Sequence, residues 1–292
     1  MSPALPSNSR TPRRWGIASS GAGRRPHPAL LIALILIFLA PYIFRIPWRF
    51  AWASALLLVC ALAALRGGGL ELLGLRAPPL QIAAALVPGV AVWWCASLVL
   101  VRLSARHNFS FVPFDSIELL IGKPLFQSLN EEMILRALLL GLLLAWRPAA
   151  RHWMGGQRAW VLMTATVAAL IFSGLHWIFY NWLSDVGLRP GTLLSLFFVG
   201  FALNAFYLRS GHIYFGIAIH AGWNLVRFGG RFYSGDSLEY IRYAHTFNLL
   251  EGDPAVIAAS CGMALLGVVL LWRAPLPTDA PPAAISDETR RS

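Results

Sequence analysis

Long apolar runs with few charges are the feature that most constrains how this chain can fold. A helix needs about 20 predominantly apolar residues to cross a hydrocarbon core about 30 Å thick. Runs near that length occur at about residues 28–44, 50–65, 80–101, 124–146, 160–183, 191–208, 212–226 and 254–272. We therefore predict an all-α, polytopic transmembrane bundle of about eight helices. The stretch GGRFYSGDSLEYIRYAH, residues 229–245, is predicted to be a polar loop.

The composition is typical of a membrane protein and excludes an ordinary soluble domain or a disordered chain. Hydrophobic residues make up 57% of the sequence and charged residues 13%, and the mean hydropathy is +0.61. The net charge of +11 is spread over short loops and the N-terminal tail. Nucleic-acid binding would need a basic face on a soluble domain, so nucleic acid is not an expected partner. We expect these charges to contact membrane lipid through its anionic head groups.

The two ends of the chain differ from the apolar middle. Residues 1–27 are rich in Arg, Pro, Ser and Gly, and they are predicted to form a disordered, basic N-terminal tail. The transmembrane bundle is assigned to residues 28–273, and residues 274–292 to a Pro- and Ala-rich C-terminal tail. Lys123 is the one lysine among 24 basic residues, a bias typical of GC-rich bacterial genomes. We therefore expect a multi-pass integral protein of a bacterial inner membrane, and the arginine bias between alternate segments favours a cytoplasmic N-terminus.

The stretch SLNEEMILRALLLG, residues 128–141, places three charges inside an apolar run. Each such charge costs about 2.5–3.5 kcal/mol at the centre of a membrane helix. Glu132 and Arg136 are four residues apart, with the acid first, so they share a helix face and can neutralise each other. Glu131 lies about 100° round the helix from Glu132. The spacing predicts that Glu131 has no partner on its own helix and is left for other work.

Two later apolar runs carry polar residues at matching helical spacing. Phe172 and His176 lie one turn apart, and so do His220 and Asn224. Glu131 falls early in its run, whereas His176, His220 and Asn224 fall near the ends of theirs. Because successive spans alternate in direction, these residues are predicted to lie at a similar depth near one membrane surface. Three helices can thus direct a carboxylate, two imidazoles and a carboxamide into one cavity.

Other functions fit part of this pattern. A single intramembrane histidine is often a hydrogen-bonded structural residue, and a Glu–Arg pair can serve packing alone. Buried Glu and His residues also relay protons or bind a cation in coupled transporters. Broken helices and paired repeats would favour a transporter, and neither is evident in the sequence.

Three motifs resemble the CAAX-protease and bacteriocin-processing family of intramembrane endopeptidases, which includes the Rce1 type. They are E-E-x-x-x-R at Glu131, Glu132 and Arg136, F-x-x-x-H at Phe172 and His176, and H-x-x-x-N at His220 and Asn224. The stretch GFALNAFYLRSGHIYFGIAIHAGWNL resembles the last block of the family, and the resemblance covers about residues 115–230. The motifs occur in order on separate apolar runs, which makes the signal specific.

The resemblance implies roles for these residues. Glu131 and His176 would activate a water for attack on a scissile carbonyl, and His220 and Asn224 would hold the oxyanion. Phe172 would pack beside the site, with Glu132 and Arg136 supporting it. The expected substrate is a membrane-associated protein or peptide, cleaved near its terminus. A catalytically inactive membrane chaperone or immunity protein is a further alternative.

The same side chains raise the question of a metal. One Glu, two His and one Asn could ligate zinc, but Asn is a poor zinc ligand and the signature H-E-x-x-H is absent from the sequence. We therefore expect a glutamate-type mechanism that uses no cofactor.

Overall fold

The computed structural model describes residues 77–145, 156–183, 187–234, 239–240 and 243–273, together with residues 32, 35, 36, 74 and 75. Its elements, in chain order, are α1 Pro79–His107, β1 Phe109–Pro113, π1 Glu118–Gly122, α2 Lys123–Glu132, π2 Met133–Leu140, α3 Gly141–Ala145, α4 Gln157–Leu183, α5 Pro190–Ser210, α6 Tyr214–Phe228, β2 Gly230–Ser234, β3 Glu239–Tyr240, α7 Tyr243–Glu251 and α8 Pro254–Arg273. The described chain is mainly helical, as predicted.

Four described helices are long and apolar enough to cross a membrane. They comprise Pro79–His107, Arg158–Asn181, Pro190–Ser210 and Pro254–Arg273. This is a membrane protein. The runs predicted at 28–44 and 50–65, like the tails 1–27 and 274–292, lie almost wholly outside the described residues. The count of about eight helices and the domain boundaries therefore stay predictions.

Glu131, Glu132 and Arg136 lie on one continuous helical run, residues 118–145, which we call the composite helix. It consists of π1, α2, π2 and α3, and the residues at each junction keep right-handed helical backbone angles. Glu131 and Glu132 are the last two residues of α2, directly before the wider π-helical turns. Such π-helical insertions are frequent at functional sites because they change which side chains share a face.

Glycines allow α6 to lie close against α1. A Cβ atom on Gly222 of α6 would lie 2.2 Å from the carbonyl oxygen of Gly89 in α1. A Cβ on Gly89 would in turn lie 2.6 Å from the carbonyl oxygen of Ala218. Small residues at such a crossing let the two backbones approach each other, as in other membrane helix pairs. The close crossing fixes the position of α6, which carries His220 and Asn224.

A small antiparallel sheet, in the order β1–β2–β3, is a departure from the all-α prediction. Asn108 ends α1 in the left-handed conformation, with φ 48°, and the chain turns directly into β1. Phe109 pairs with Ser234 and Pro113 with Gly230, where a Cβ would lie 2.3 Å from the Val112 carbonyl oxygen. The prediction of a polar loop at 229–245 is wrong for part of this stretch. Residues 230–234 pair with β1, and residues 243–245 begin α7.

Candidate active site

Three helices bring one carboxylate and two imidazoles together. Glu131 comes from α2, His176 from α4 and His220 from α6. The Oε2 atom of Glu131 lies 3.7 Å from Nε2 of His176 and 3.6 Å from Nε2 of His220. Glu131 and His220 are buried, and the His176 side chain is 11% exposed. One carboxylate oxygen therefore faces the same nitrogen of both rings in a poorly hydrated site.

The orientation of His176 is set by its own helix. Its Nδ1 lies 2.9 Å from the backbone carbonyl oxygen of Phe172, one turn earlier. A carbonyl oxygen only accepts hydrogen bonds, so this contact requires the proton on Nδ1. The Phe172 ring packs edge-on against the imidazole, with the ring centroids 4.4 Å apart. In the neutral ring, the Nε2 lone pair consequently points toward Glu131.

The orientation of His220 depends on Glu132. The Nδ1 atom of His220 lies 3.2 Å from Glu132 Oε1, and the same carboxylate pairs with Arg136 at 3.3 Å. Both Glu132 and Arg136 are fully buried. Gly216 admits the carboxylate, since a Cβ there would lie 2.0 Å from Glu132 Oε2. The Arg136 guanidinium also lies over the Phe172 ring, 4.8 Å from its centroid. Glu132 thus links α6 to Arg136, and Arg136 in turn contacts α4 through Phe172.

Glu131 does have a partner on its own helix, contrary to the prediction. The side-chain amide of Gln127, one turn earlier, donates a hydrogen bond of 2.8 Å to Glu131 Oε1. The helical spacing of four residues would have revealed this contact, because residues i and i+4 share a face. The bond holds one carboxylate oxygen and leaves Oε2 directed toward the two imidazoles.

Asn224 is on the same face of α6 as His220, but its side-chain amide is bound to Ser128. The side-chain amide donates a hydrogen bond of 3.1 Å to the Ser128 hydroxyl, which in turn donates one of 2.8 Å to the Pro124 carbonyl. Asn224 is fully buried, and its Oδ1 has no hydrogen-bond partner among the described residues. The structure therefore brings Glu131, His176 and His220 into direct proximity and holds Asn224 beside them.

Aromatic residues that the sequence analysis did not select lie behind His176. Tyr180, one turn further along α4, is nearly parallel to the imidazole at 6.2 Å between centroids. Phe247 of α7 is also nearly parallel to it at 6.4 Å, and stacks on Tyr180 at 4.7 Å. Helical spacing from His176 could have identified Tyr180. Nothing in the sequence indicated Phe247, since its contact depends on how α7 folds back.

Arg227, which contacts this aromatic pair, has two ionisable neighbours. Arg227 of α6 lies near Glu251 at the end of α7, 3.5 Å between NH1 and Oε1. Glu251 lies outside the candidate membrane spans, and burial raises the pKa of its carboxyl to about 7, although Arg227 and the Trp223 indole counteract the shift. Burial and the Arg227 guanidinium lower the pKa of Lys123, at the start of α2.

A structural metal centre needs several ligand side chains directed at one point. Within the described ranges, no group of three or more His, Cys, Asp or Glu side chains is arranged to hold one. Both Nδ1 atoms are engaged by other protein groups, which leaves the two Nε2 atoms toward Glu131, and Asn224 binds Ser128. No step below passes through a metal. The absence of a cofactor stays a prediction.

Comparison with known proteins identifies one family. A family model described as type II CAAX prenyl endopeptidase Rce1-like matches residues 113–226. That range contains all seven motif residues, and the resemblance drawn from the motifs is confirmed over this part of the chain. No curated protein matches the chain, and no solved structure does.

Proposed function

We propose that this protein is an intramembrane endopeptidase of the CAAX prenyl endopeptidase type, which hydrolyses a peptide bond near the terminus of a membrane-associated protein or peptide. The observation that carries the proposal is the approach of Glu131 Oε2 to both imidazole Nε2 atoms, within 3.7 Å. The match to an endopeptidase family over the same residues supports it.

Glu131 and His176 are the groups proposed to activate water. Glu131 Oε2 and the His176 Nε2 lone pair are adjacent acceptors, so one water molecule can donate a hydrogen bond to each. As the water oxygen attacks the scissile carbonyl carbon, Glu131 takes its proton. The Gln127 amide keeps the other carboxylate oxygen in place during this step. When the tetrahedral intermediate collapses, the C–N bond breaks and Glu131 returns the proton to the leaving amine.

His220 and Asn224 are the groups proposed to stabilise the oxyanion. A second proton on His220 Nε2 provides a charged donor, and the Glu132 carboxylate at Nδ1 compensates that charge. Asn224 donates to Ser128 in the observed arrangement. Its amide therefore has to turn from Ser128 when substrate binds. Such tightening of hydrogen bonds on substrate binding is common in active sites.

The proposal also includes the location of the protein. The protein is proposed to be a multi-pass component of a bacterial inner membrane, in contact with lipid along its apolar helices. Val90 and Leu98 of α1 and Leu265 of α8 are among the large apolar side chains exposed on these helices. Exposed apolar surface of this extent suits hydrocarbon rather than water.

Cleavage of a defined peptide tests the proposal. The probe is an internally quenched, farnesylated peptide ending in Cys-aliphatic-aliphatic-X, incubated with the full chain in proteoliposomes. The wild-type protein should cleave it, whereas Glu131→Gln and His176→Ala should lower the rate by about 100- to 10,000-fold. Glu118→Gln and His107→Ala, which change exposed residues of the same types, are the matched controls.

A second measurement covers substrates that the probe does not resemble. Protein termini in membranes of cells that carry the wild-type chain should include fragments absent from cells with the two inactive variants. Unchanged termini together with an uncleaved probe would contradict the proposal. Proton flux into liposomes that depends on Glu131 and His176 would then favour the transporter.

Treatment with 1,10-phenanthroline should leave peptide cleavage unchanged, and inhibition reversed by added zinc would contradict the metal-free mechanism.

A further inference from the structure

Arg227 contacts both of the aromatic residues behind His176. Its guanidinium lies over the Phe247 ring, 3.6 Å from the centroid, and donates a hydrogen bond to the Tyr180 hydroxyl. The residue is buried, and it lies beyond the range that matches the endopeptidase family. Arg227 thereby contacts both rings that lie parallel to the His176 imidazole.

Glu251 holds Arg227 in this position and ties α7 to α6. Its Oε1 lies 3.5 Å from Arg227 NH1 and accepts a hydrogen bond of 2.8 Å from the Trp223 indole. Trp223 and Arg227 are four residues apart on one face of α6. Glu251 therefore connects α7 to two residues of α6. One of them, Arg227, in turn contacts Phe247 and Tyr180.

We propose that Arg227 is a positioning residue for His176, which acts by fixing Tyr180 and Phe247 as the wall behind the imidazole, with Glu251 as its anchor. The inference rests on the proposed function. A planar guanidinium suits this task because it can stack on one ring while it donates a hydrogen bond in its own plane. Lysine retains the charge and can donate a hydrogen bond, but it has no planar group to stack on Phe247 while it bonds Tyr180, so its charge alone does not restore the arrangement.

Two variants of Arg227 and one of its partner Tyr180 test the inference on the farnesylated peptide. Arg227→Gln and Arg227→Lys should both lower kcat by about 10- to 100-fold with little change in KM, because a misplaced base costs rate rather than binding. Tyr180→Phe removes the hydroxyl alone and should cause a smaller loss. Its effect should not add to that of Arg227→Gln, since the two groups act as a unit. The control is Arg102→Gln, which removes an arginine from its ion pair with Asp253 and should leave kcat unchanged.

A chemical readout is independent of peptide cleavage. Diethyl pyrocarbonate modifies the unprotonated imidazole nitrogen, and peptide mass spectrometry measures the rate at His176 alone. Arg227→Gln should raise that rate several-fold, because a loosened wall admits the reagent. Arg102→Gln should match the wild type.

The pH profile provides a third readout. Glu251 faces Arg227 and His220 of α6, while the neighbouring Asp253 pairs with Arg102 of α1. Burial raises the pKa of Glu251 to about 7, so the anchor is charged above that pH and neutral below it. The wild-type kcat should therefore rise through pH 7, and Glu251→Gln should lack this rise.

The outcomes separate this inference from the proposed function. Arg227 variants that match Arg102→Gln in kcat and in His176 modification would overturn the positioning role while the endopeptidase stands. An uncleaved peptide and unchanged protein termini, together with faster His176 modification in Arg227→Gln, would leave the positioning role and remove the proposed reaction. If the Arg227 variants fail to fold, unchanged kcat and modification rate in both Tyr180→Phe and Glu251→Gln would overturn the inference.

Discussion

At the scale of single residues, the adjacent acids Glu131 and Glu132 have different surroundings. Glu131 directs one oxygen toward two imidazoles, whereas Glu132 is fully buried between His220 and Arg136. Their side chains diverge because consecutive residues are about 100° apart on a helix. A carboxylate that pairs with a buried cation serves structure first, since its removal leaves that cation uncompensated.

Gly216 provides a test of the Glu132 position. A Cβ atom there would lie 2.0 Å from Glu132 Oε2, so Gly216→Ala should displace the carboxylate that holds His220 and Arg136. We expect a destabilisation of about 1–3 kcal/mol and a loss of peptide cleavage. Thermal unfolding in detergent and kcat measure the two effects. Gly262→Ala is the control, because a Cβ at Gly262 meets nothing within 4 Å. A Gly216→Ala protein with wild-type stability and kcat would contradict the assignment.

Glu251 gives a pH dependence of stability whose sign can be worked out. Burial raises the pKa of its carboxyl to about 7 from 4.5, so the folded protein binds this proton more tightly than the unfolded chain does. Its contribution to stability is complete below pH 4.5 and is lost as the pH rises through 7. Relative to Glu251→Gln, the wild type should lose up to about 3 kcal/mol between pH 5 and pH 8. Melting curves of both proteins at each pH measure the difference. If the stability of the two proteins changed equally between pH 5 and pH 8, the prediction would be wrong.

At the scale of secondary-structure elements, helical spacing alone predicted the local pairs. Glu132–Arg136 and the Phe172–His176 contact follow from the i, i+4 relation, which holds wherever a helix forms. The sheet and α7 were not predictable in this way. Their segments are short and carry no strong period, and the strands form only because distant parts of the chain pair with each other. Phe247 reaches His176 through such long-range packing, which sequence spacing does not encode.

Asn248 is the residue expected to fasten α7 to the rest of the bundle. Its Oδ1 accepts hydrogen bonds of 2.9 Å from the Arg189 backbone and from the Thr192 hydroxyl, and its amide donates one of 2.8 Å to the Gly187 carbonyl. Asn248→Ala removes the partner of the buried Thr192 hydroxyl and of two part-buried backbone groups, which should cost about 1–3 kcal/mol. Hydrogen exchange should become faster across α7 but not across α4. His245→Ala, on the same helix, should exchange like the wild type, and equal protection in both variants would contradict this role.

At the scale of the whole molecule, the order of helices explains why distant motifs meet. Glu131 lies about two turns after the start of α2. His176 and His220 lie about two turns before the ends of α4 and α6. Because successive helices alternate in direction, α4 and α6 run opposite to α2, and the three residues reach one end of the bundle together. The sequence could predict this common depth, but the 3.6 Å and 3.7 Å approaches depend on the close α1–α6 crossing and on Gly216.

The membrane orientation of that end is the last prediction. The β1–β2 strand pair lies at the same end as the site, because β1 follows α1 directly and β2 follows α6. The turn after α5 lies at the other end, and the arginine bias assigns it to the cytoplasm. In a variant lacking Cys60, Cys95 and Cys261, a membrane-impermeant maleimide should label Val112→Cys in intact cells. Arg209→Cys should be labelled only after permeabilisation, since both positions are exposed but on opposite sides.

The reverse labelling pattern would place the site at the cytoplasmic surface and overturn the charge-based orientation. It would leave the catalytic proposal intact, because the approach of Glu131 to His176 and His220 does not depend on which membrane face the cavity opens to. The orientation instead decides which substrates can reach the site. An extracytoplasmic opening restricts them to exported or membrane-anchored segments, whereas a cytoplasmic opening admits lipid-modified proteins at the inner surface. Adding the quenched peptide to one side of sealed vesicles at a time should therefore give cleavage on the side from which Val112→Cys is labelled.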